Sequence, residues 1–267
     1  MDNNLIKPIS GTHSVKEVVI SLAVKPVIKK AKDYNVLMEL GFPLHGRFTK
    51  FDLLNTIETK MDSRTMIPQV TENYVSGFKF SSFSQDGKLK DLIQCQERKA
   101  EQISFITYHT LKYTSWSDFA ESAIYSLRAI SEISNGCDIV AAGLLYIDEF
   151  YIQNSSYEPS LIFNKEANDL PRSMFDSDLV DYNLLTNKAC KYGIYTDGLS
   201  IKMFDEKERK TVRITDNMSF ELNKQPLGTF LKQAQTIFTY FKDENQNLLR
   251  GILSSEALEC IGLNKFD

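Results

Sequence analysis

No pair of cysteines in this chain has metal-ligand or redox spacing. Cys95, Cys137, Cys190 and Cys260 stand far apart with no CxxC, which excludes a zinc knuckle and a thioredoxin-like dithiol and leaves them as reduced core thiols. Glycine and proline are scarce, at 12 and 7 residues. With so few breakers there is no long low-complexity linker, and a compact unit is expected. No apolar run approaches the roughly 18 residues of a membrane span. The opening MDNNLIKPISGTHS is polar, so the expectation is a cytoplasmic protein with no membrane partner. Neither sign of charge dominates: 31 basic against 35 acidic side chains leave a net charge of -4, which argues against nucleic acid as a partner unless a local patch exists.

The usual catalytic loops are missing too. There is no G-x-S-x-G turn for a nucleophile, and no G-x-x-x-x-G-K-[ST] or G-x-G-x-x-G loop for nucleotide phosphates. His13, His45 and His109 are distant in sequence and sit in no metal-binding pattern. No cofactor is implied.

What is present is a large apolar fraction, 42% of 267 residues, enough for a sizeable core. Its strongest signal is the run from Ile139 to Ile152, IVAAGLLYIDEFYI. A strand with one wet face alternates apolar and polar residues, so an unbroken apolar start implies a strand covered on both faces, a central strand joining two halves. Before it, Val15 to Val24 reads as a strand, and Pro26 suits the first turn of a helix running to Leu40. The stretch from Phe42 to Thr71 reads as a short helix over GRFTKFDLLNTIETK, with SRTMIPQV as an extended entry to the next strand. Tyr74 to Phe83 and Leu89 to Gln96 flank Asp86-Gly87, a dipeptide suited to a tight hairpin. Ile103 to Tyr108 completes a meander after a charged turn at Glu97 to Glu101. Ser115, with Asp118 three residues on, caps a helix whose apolar stripe is Trp116, Phe119, Ala120, Ala123, Leu127 and Ile130.

After the central strand, Leu161 to Leu185 reads as a loop with helix in it. Strands near Lys188 to Thr196 and Leu199 to Phe204 are expected around a second turn at Asp197-Gly198, followed by strands near Thr211 to Ile214 and Ser219 to Leu222. A long helix is expected from Leu227 to Leu249, and Ser254 caps a last short one. Each half then reads strand, helix, antiparallel meander, helix. The expected fold class is α+β, two helix-grip-like halves at 1–136 and 137–267, joined by the central buried strand and packed tightly enough to count as one domain.

Several blocks carry a resemblance: HSVKEVVISLAV, LIQCQERKAEQISF, YTSWSDF, GLLYIDEF and FTYFKDENQNLLRGILSSEALECIGL. In order and spacing they resemble a patchily distributed family of uncharacterised bacterial proteins of about this length, over nearly the whole chain. Relatives typically read Gly-Leu-Arg-Tyr-Ile-Asn in the central strand. Here Leu145 replaces the arginine and Asp148 the asparagine, so any anion held by that arginine in relatives is not held by Leu145. The scattered distribution implies accessory loci such as phage defence, where small proteins act as sensors, adaptors or neutralising partners.

Candidate sites are weak on residue pattern. Asp91, Glu97 and Lys99 resemble the acid and lysine portion of a metal-dependent nuclease site, where carboxylates hold Mg²⁺ and a lysine orients water; on a hairpin turn such residues are more simply solvated. Asp176, Asp178 and Asp181 are an oxygen-rich set for a hard cation but lack the glycine and glutamate of a calcium loop, and Asp178 as a helix cap is the plainer reading. Tyr108, Tyr113, Tyr151 and Tyr157 fall near expected strand ends, where a tyrosine offers an apolar ring and a polar tip to a partner. The leading expectation is a non-enzymatic protein binder. The alternatives are a metal-dependent nucleic-acid-processing effector and a small-ligand-binding protein. A large exposed apolar patch, buried acids in a cleft, or a closed apolar pocket would separate the three.

Overall fold

The structure is a computed structural model and describes residues 5–263 apart from 29–30, 40, 62–65, 67, 135, 153–157, 178–179 and 207–208. In chain order the strands and helices are β1 (Ile6–Pro8), β2 (Val15–Lys25), α1 (Ala31–Met38), β3 (Lys50–Met61), β4 (Pro68–Phe83), β5 (Leu89–Arg98), β6 (Ile103–Thr110), α2 (Trp116–Ile133) and β7 (Asp138–Ile152). They continue with β8 (Val180–Cys190), β9 (Gly193–Glu206), β10 (Arg209–Pro226), α3 (Leu227–Phe230), α4 (Ala234–Ile252) and α5 (Ser255–Cys260). The strands hydrogen-bond in the order β3-β4-β5-β6-β2-β7-β10-β9-β8, with β1 on β7.

This corrects the expected fold class. The chain is a ten-stranded, largely antiparallel sheet with half its residues in strands and about a quarter in helices, not two α+β halves with a joining strand. Sheet was undercounted for local reasons. The segment read as a short helix before Thr71 is the 12-residue strand β3, and the loop-and-helix reading of Leu161 to Leu185 hides the start of β8. Asp197-Gly198 is no turn; it lies inside β9, and the reversal falls at Lys191-Tyr192, where Gly193 takes a φ of 127°. The two short strands expected after Phe204 are one 18-residue strand, β10.

The chain divides into two compact units. One holds residues 20–142 and 221–234. Its sheet face is built by register: Phe78, Cys95 and Ile106 lie opposite one another across β4, β5 and β6, as do Phe80, Ile93 and Tyr108, and all six are buried. Period-two alternation puts them on one face. Helix α2 covers part of that face, with Phe119 against Tyr108 at 5.8 Å between rings and Ala123, Leu127 and Ile130 buried beneath it. The Ser115 hydroxyl accepts from the Asp118 N–H at 3.2 Å and caps the helix as its spacing predicts. Phe42, His45 and Phe48 pack about 6 Å from the Phe80 ring and cover the adjoining part. The Asp86-Gly87 hairpin forms where expected, with Gly87 at a φ of 77°.

The other unit holds residues 1–19, 143–220 and 235–267. Phe150 and Ile152 of β7, Leu199, Ile201 and Met203 of β9, and Val212 and Ile214 of β10 form its buried face, with Leu249, Ile252 and Ala257 of α4 and α5 in the same core. Further along, the Phe241 ring of α4 packs 5.2 Å from Tyr195 and 5.1 Å from Phe220. Each such side chain contributes about 2–3 kcal/mol of transfer free energy on burial. Ser254 caps α5, its hydroxyl accepting from Ala257 N–H at 3.1 Å.

Candidate functional site

The pairing of β4 with β5 runs from Phe83 down to Gly77 and stops. Below it, residues 68–75 pair only with β3, so the sheet continues as a two-stranded ribbon. Gly77 marks the change. A Cβ built on it would lie 1.9 Å from the Cys95 carbonyl oxygen, so only glycine admits this close approach of the two backbones. Ser76 and Thr71 are extra residues on β4, where the register slips at Leu54/Asn55 and Glu58/Thr59. Their hydroxyls donate to the carbonyls of Leu54 at 3.3 Å and Glu58 at 3.1 Å, which replaces ladder bonds lost at the bulges. Because both bulges are on β4, β3 itself stays regular.

That regularity sorts the side chains of the ribbon. Leu53, Ile57 and Met61 of β3 share a face with Val75 and Val70 of β4, which lie opposite Asn55 and Thr59. These five are 41–66% exposed. The opposite face is polar: Glu72 pairs with Lys99, the Tyr74 hydroxyl donates to Glu58 at 3.4 Å, and the Lys99 ammonium sits 5.0 Å from the Tyr74 ring centroid. The ribbon is amphipathic, and its apolar side faces solvent.

The residues singled out from the sequence are dispersed. Asp91 is mostly buried on β5; its Oδ2 accepts from the Ser82 hydroxyl at 3.3 Å, and it lines an open cavity of about 770 Å³ together with Tyr108, Tyr113, Arg47, Lys90 and Asp118. The cavity mixes both signs of charge and is neither closed nor apolar. Glu97 is six residues further along the same strand, about 20 Å away by strand rise. It lines a different concavity with Lys99, whose hydrogen bond to Glu72 raises its pKa. The three therefore do not gather.

Tyr108 is buried, and desolvation pushes its phenol up to about 12. Tyr113 is half-buried with its ring 6.5 Å from Phe119. Tyr151 belongs to the other unit, where the Arg209 guanidinium stacks 3.5 Å over its ring. Tyr157 and Asp178 lie outside the described residues. Asp176 ends a 3-10 turn, and Asp181 on β8 pairs with Lys202 at 3.3 Å. Among the described residues, no three His, Cys, Asp or Glu side chains are grouped to hold a metal.

Sequence reasoning missed a set of buried carboxylates in the unit that carries α4. Asp197 and Asp216 point to the same side of β9 and β10 as Leu199 and Met218, diagonal to one another across the ladder. Asp197 pairs with Lys188, and Asp216 accepts from the Asn245 amide of α4 at 2.9 Å. Burial first, and then the neighbouring Asp197, raise the Asp216 pKa well above the usual carboxylate range. On β7, Asp148 is buried on the side of Phe150 and accepts from the Ser14 hydroxyl at 2.6 Å. Glu149 points the other way and takes Lys16 at 2.7 Å and Arg213 at 2.6 Å. The available signal was phase: Asp197 is in step with Tyr195, Leu199 and Ile201, which a strand reading through Gly198 would have shown. Each of the three aspartates nevertheless keeps one buried oxygen, Asp148 Oδ2, Asp197 Oδ1 and Asp216 Oδ1, with no hydrogen-bond partner among the described residues.

No protein-family model matches the chain, and no curated protein sequence is similar to it. Among the described residues, no helix is long and apolar enough to cross a membrane.

Proposed function

We propose that this chain is a cytoplasmic protein-binding molecule, an adaptor, sensor or neutralising partner, that engages protein through the β3–β4 ribbon. One observation carries the reading: Leu53, Ile57, Met61, Val70 and Val75 stand exposed on a single face. Together they open an apolar patch of a few hundred Å², the range in which exposed patches mark interaction sites. A two-stranded ribbon is marginal on its own in water, so an apolar face left open on it calls for a covering partner. The effector reading draws less support, because Asp91 and Glu97 are separated along β5 and line different concavities. The small-ligand reading asks for a closed apolar pocket, and the cavity beside Asp91 is open, with charged and aromatic side chains mixed in its lining. The resemblance to a patchily distributed bacterial family is in keeping with such a binder in an accessory locus, phage defence among the settings.

The test is affinity capture of the tagged chain from its native host, run beside an Ile57→Lys/Val70→Lys double variant. Both positions are exposed, so the variant should unfold at the parent's temperature. A stoichiometric protein, whether a second copy of the chain or another, should co-elute with the parent and be lost from the variant. Identical eluates from the two would refute the reading.

A further inference from the structure

We infer that the partner of the ribbon is a second copy of this chain, whose β3 adds antiparallel to the open edge of β3; this rests on the ribbon being a protein-binding surface. β3 stands at one end of the strand order and has no pairing on its outer side among the described residues. Such an edge is a template for another strand unless it is short, bulged, or protected by proline or charged side chains; the charges of β3, Lys50, Asp52, Glu58 and Lys60, are all even-numbered and lie on the face away from Ile57. β3 has 12 residues, contains no proline, and leaves its bulges to β4. The carbonyls of Leu54 and Glu58 turn toward β4, where Ser76 and Thr71 bond to them. By alternation, the odd-numbered residues Leu53, Asn55, Ile57, Thr59 and Met61 present their N–H and C=O groups at the open edge.

The spacing of that edge is symmetric about Ile57. With Ile57 opposite its own copy, Leu53 meets Met61 of the second copy, Asn55 meets Thr59, and Met61 meets Leu53. All five are odd-numbered, so every pair is of the hydrogen-bonded kind, and about ten main-chain hydrogen bonds form over a seam about 30 Å long. Three of the five pairs on the face of Ile57 are then apolar against apolar, with the Asn55–Thr59 pairs between them. On the other, Thr56 meets Glu58 and Lys60 meets Leu54, with Asp52 diagonal to Lys60. The neighbouring registers are worse. A shift of two residues one way sets Glu58 against its own copy, which is repulsive; a shift the other way sets Ile57 against Asn55.

The arrangement is isologous and closes at two chains. The other edge strand, β8, is a poorer template: its one highly exposed apolar side chain, Leu185, is flanked on the same face by Asn183 and Asn187, with Asp181 beyond.

The experiment is light scattering after size exclusion across a range of concentrations, joined to cysteine cross-linking read against the parent chain, whose half-exposed Cys190 and Cys260 set the background. The expected result is a species of twice the 30.5-kDa chain mass, which Ile57→Lys returns to the single-chain mass while the chain stays folded, with a cooperative unfolding transition that no longer depends on protein concentration. Opposed residues of a hydrogen-bonded pair lie about 5.5 Å apart at Cα, within disulfide range. Ile57→Cys should therefore cross-link to itself. Leu53→Cys should cross-link when mixed with Met61→Cys and not alone. A single-chain mass at every concentration, or a dimer lacking this pattern, overturns the second-copy assignment. If the ribbon side chains are nevertheless needed to capture another protein, the protein-binding reading stands and only its partner changes; if they are not, both fall.

Discussion

Asp148→Asn should make this protein more stable at neutral pH and slightly less stable in acid. Asp148 is about 1% exposed, it accepts one hydrogen bond from Ser14, and its Oδ2 has no hydrogen-bond partner among the described residues. Burial raises its pKa from 3.8 to about 6, against the opposing effect of the Ser14 bond. Below about pH 4 the carboxyl is neutral in both folded and unfolded chains and costs nothing. Between 4 and 6 the unfolded chain ionises while the folded chain holds its proton, so stability falls as pH rises, and above about 6 the loss is complete. A gap of about two pH units corresponds to about 3 kcal/mol. For a chain of this length that is about 5 °C in unfolding temperature. The substituted amide would still accept from Ser14 and carries no charge; its buried NH₂ adds a penalty of about 1 kcal/mol that does not vary with pH. Thermal unfolding of parent and variant at pH 4.5, 6, 7 and 8 isolates the term, because every other titrating group is common to both. Because about 1 kcal/mol of the penalty is already present at pH 4.5, the variant's advantage should grow by about 3–4 °C across that range. A difference that stays constant, or shrinks as pH rises, would refute the assignment of a buried, pH-linked penalty to this carboxyl.

Asp216→Asn keeps an acceptor for Asn245 and removes the charge beside Asp197, so urea midpoints should rise relative to the parent, more at pH 8 than at pH 5; a larger gain in acid would contradict the raised pKa. Gly77→Ala would drive a methyl into the Cys95 carbonyl, and a loss of about 3 kcal/mol or more in chemical denaturation is expected from such overpacking against backbone. Glu149→Ala strips Lys16 and Arg213 of a shared buried acceptor. Because both cations are about a third exposed, the loss should be about 2 kcal/mol rather than that of a fully buried pair. Unfolding midpoints at low and high salt check it, and an unchanged midpoint would show that the cations find water equally well.

Elements that depend on near neighbours were legible. The Ser115 and Ser254 caps, the Gly87 turn, the stripe of α2 and the shared side of Phe78 with Phe80 each rest on contacts within a few residues or on a plain period of two. β3 was not legible, because Leu53, Ile57 and Met61 recur every four residues and fit a helix face as well as a strand face. Only pairing with β4 chooses between them. Asp197-Gly198 misled for a related reason: the dipeptide favours a turn in isolation, and here β8 and β10 pair with it from both sides and hold it extended.

The residues at which function was sought divide in the same way. Composition and missing motifs, which need no partner in space, set aside zinc knuckles, known nucleotide loops and a strongly basic surface. By themselves the residues also determined a large core, capped helices and an apolar strand through the middle of the chain. Tertiary structure alone decided that Asp197 and Asp216 meet and that five apolar side chains of β3 and β4 stand open on one face. Local sequence sets which conformations are cheap for a segment, whereas register between distant strands decides which side chains share a face and which of them find cover.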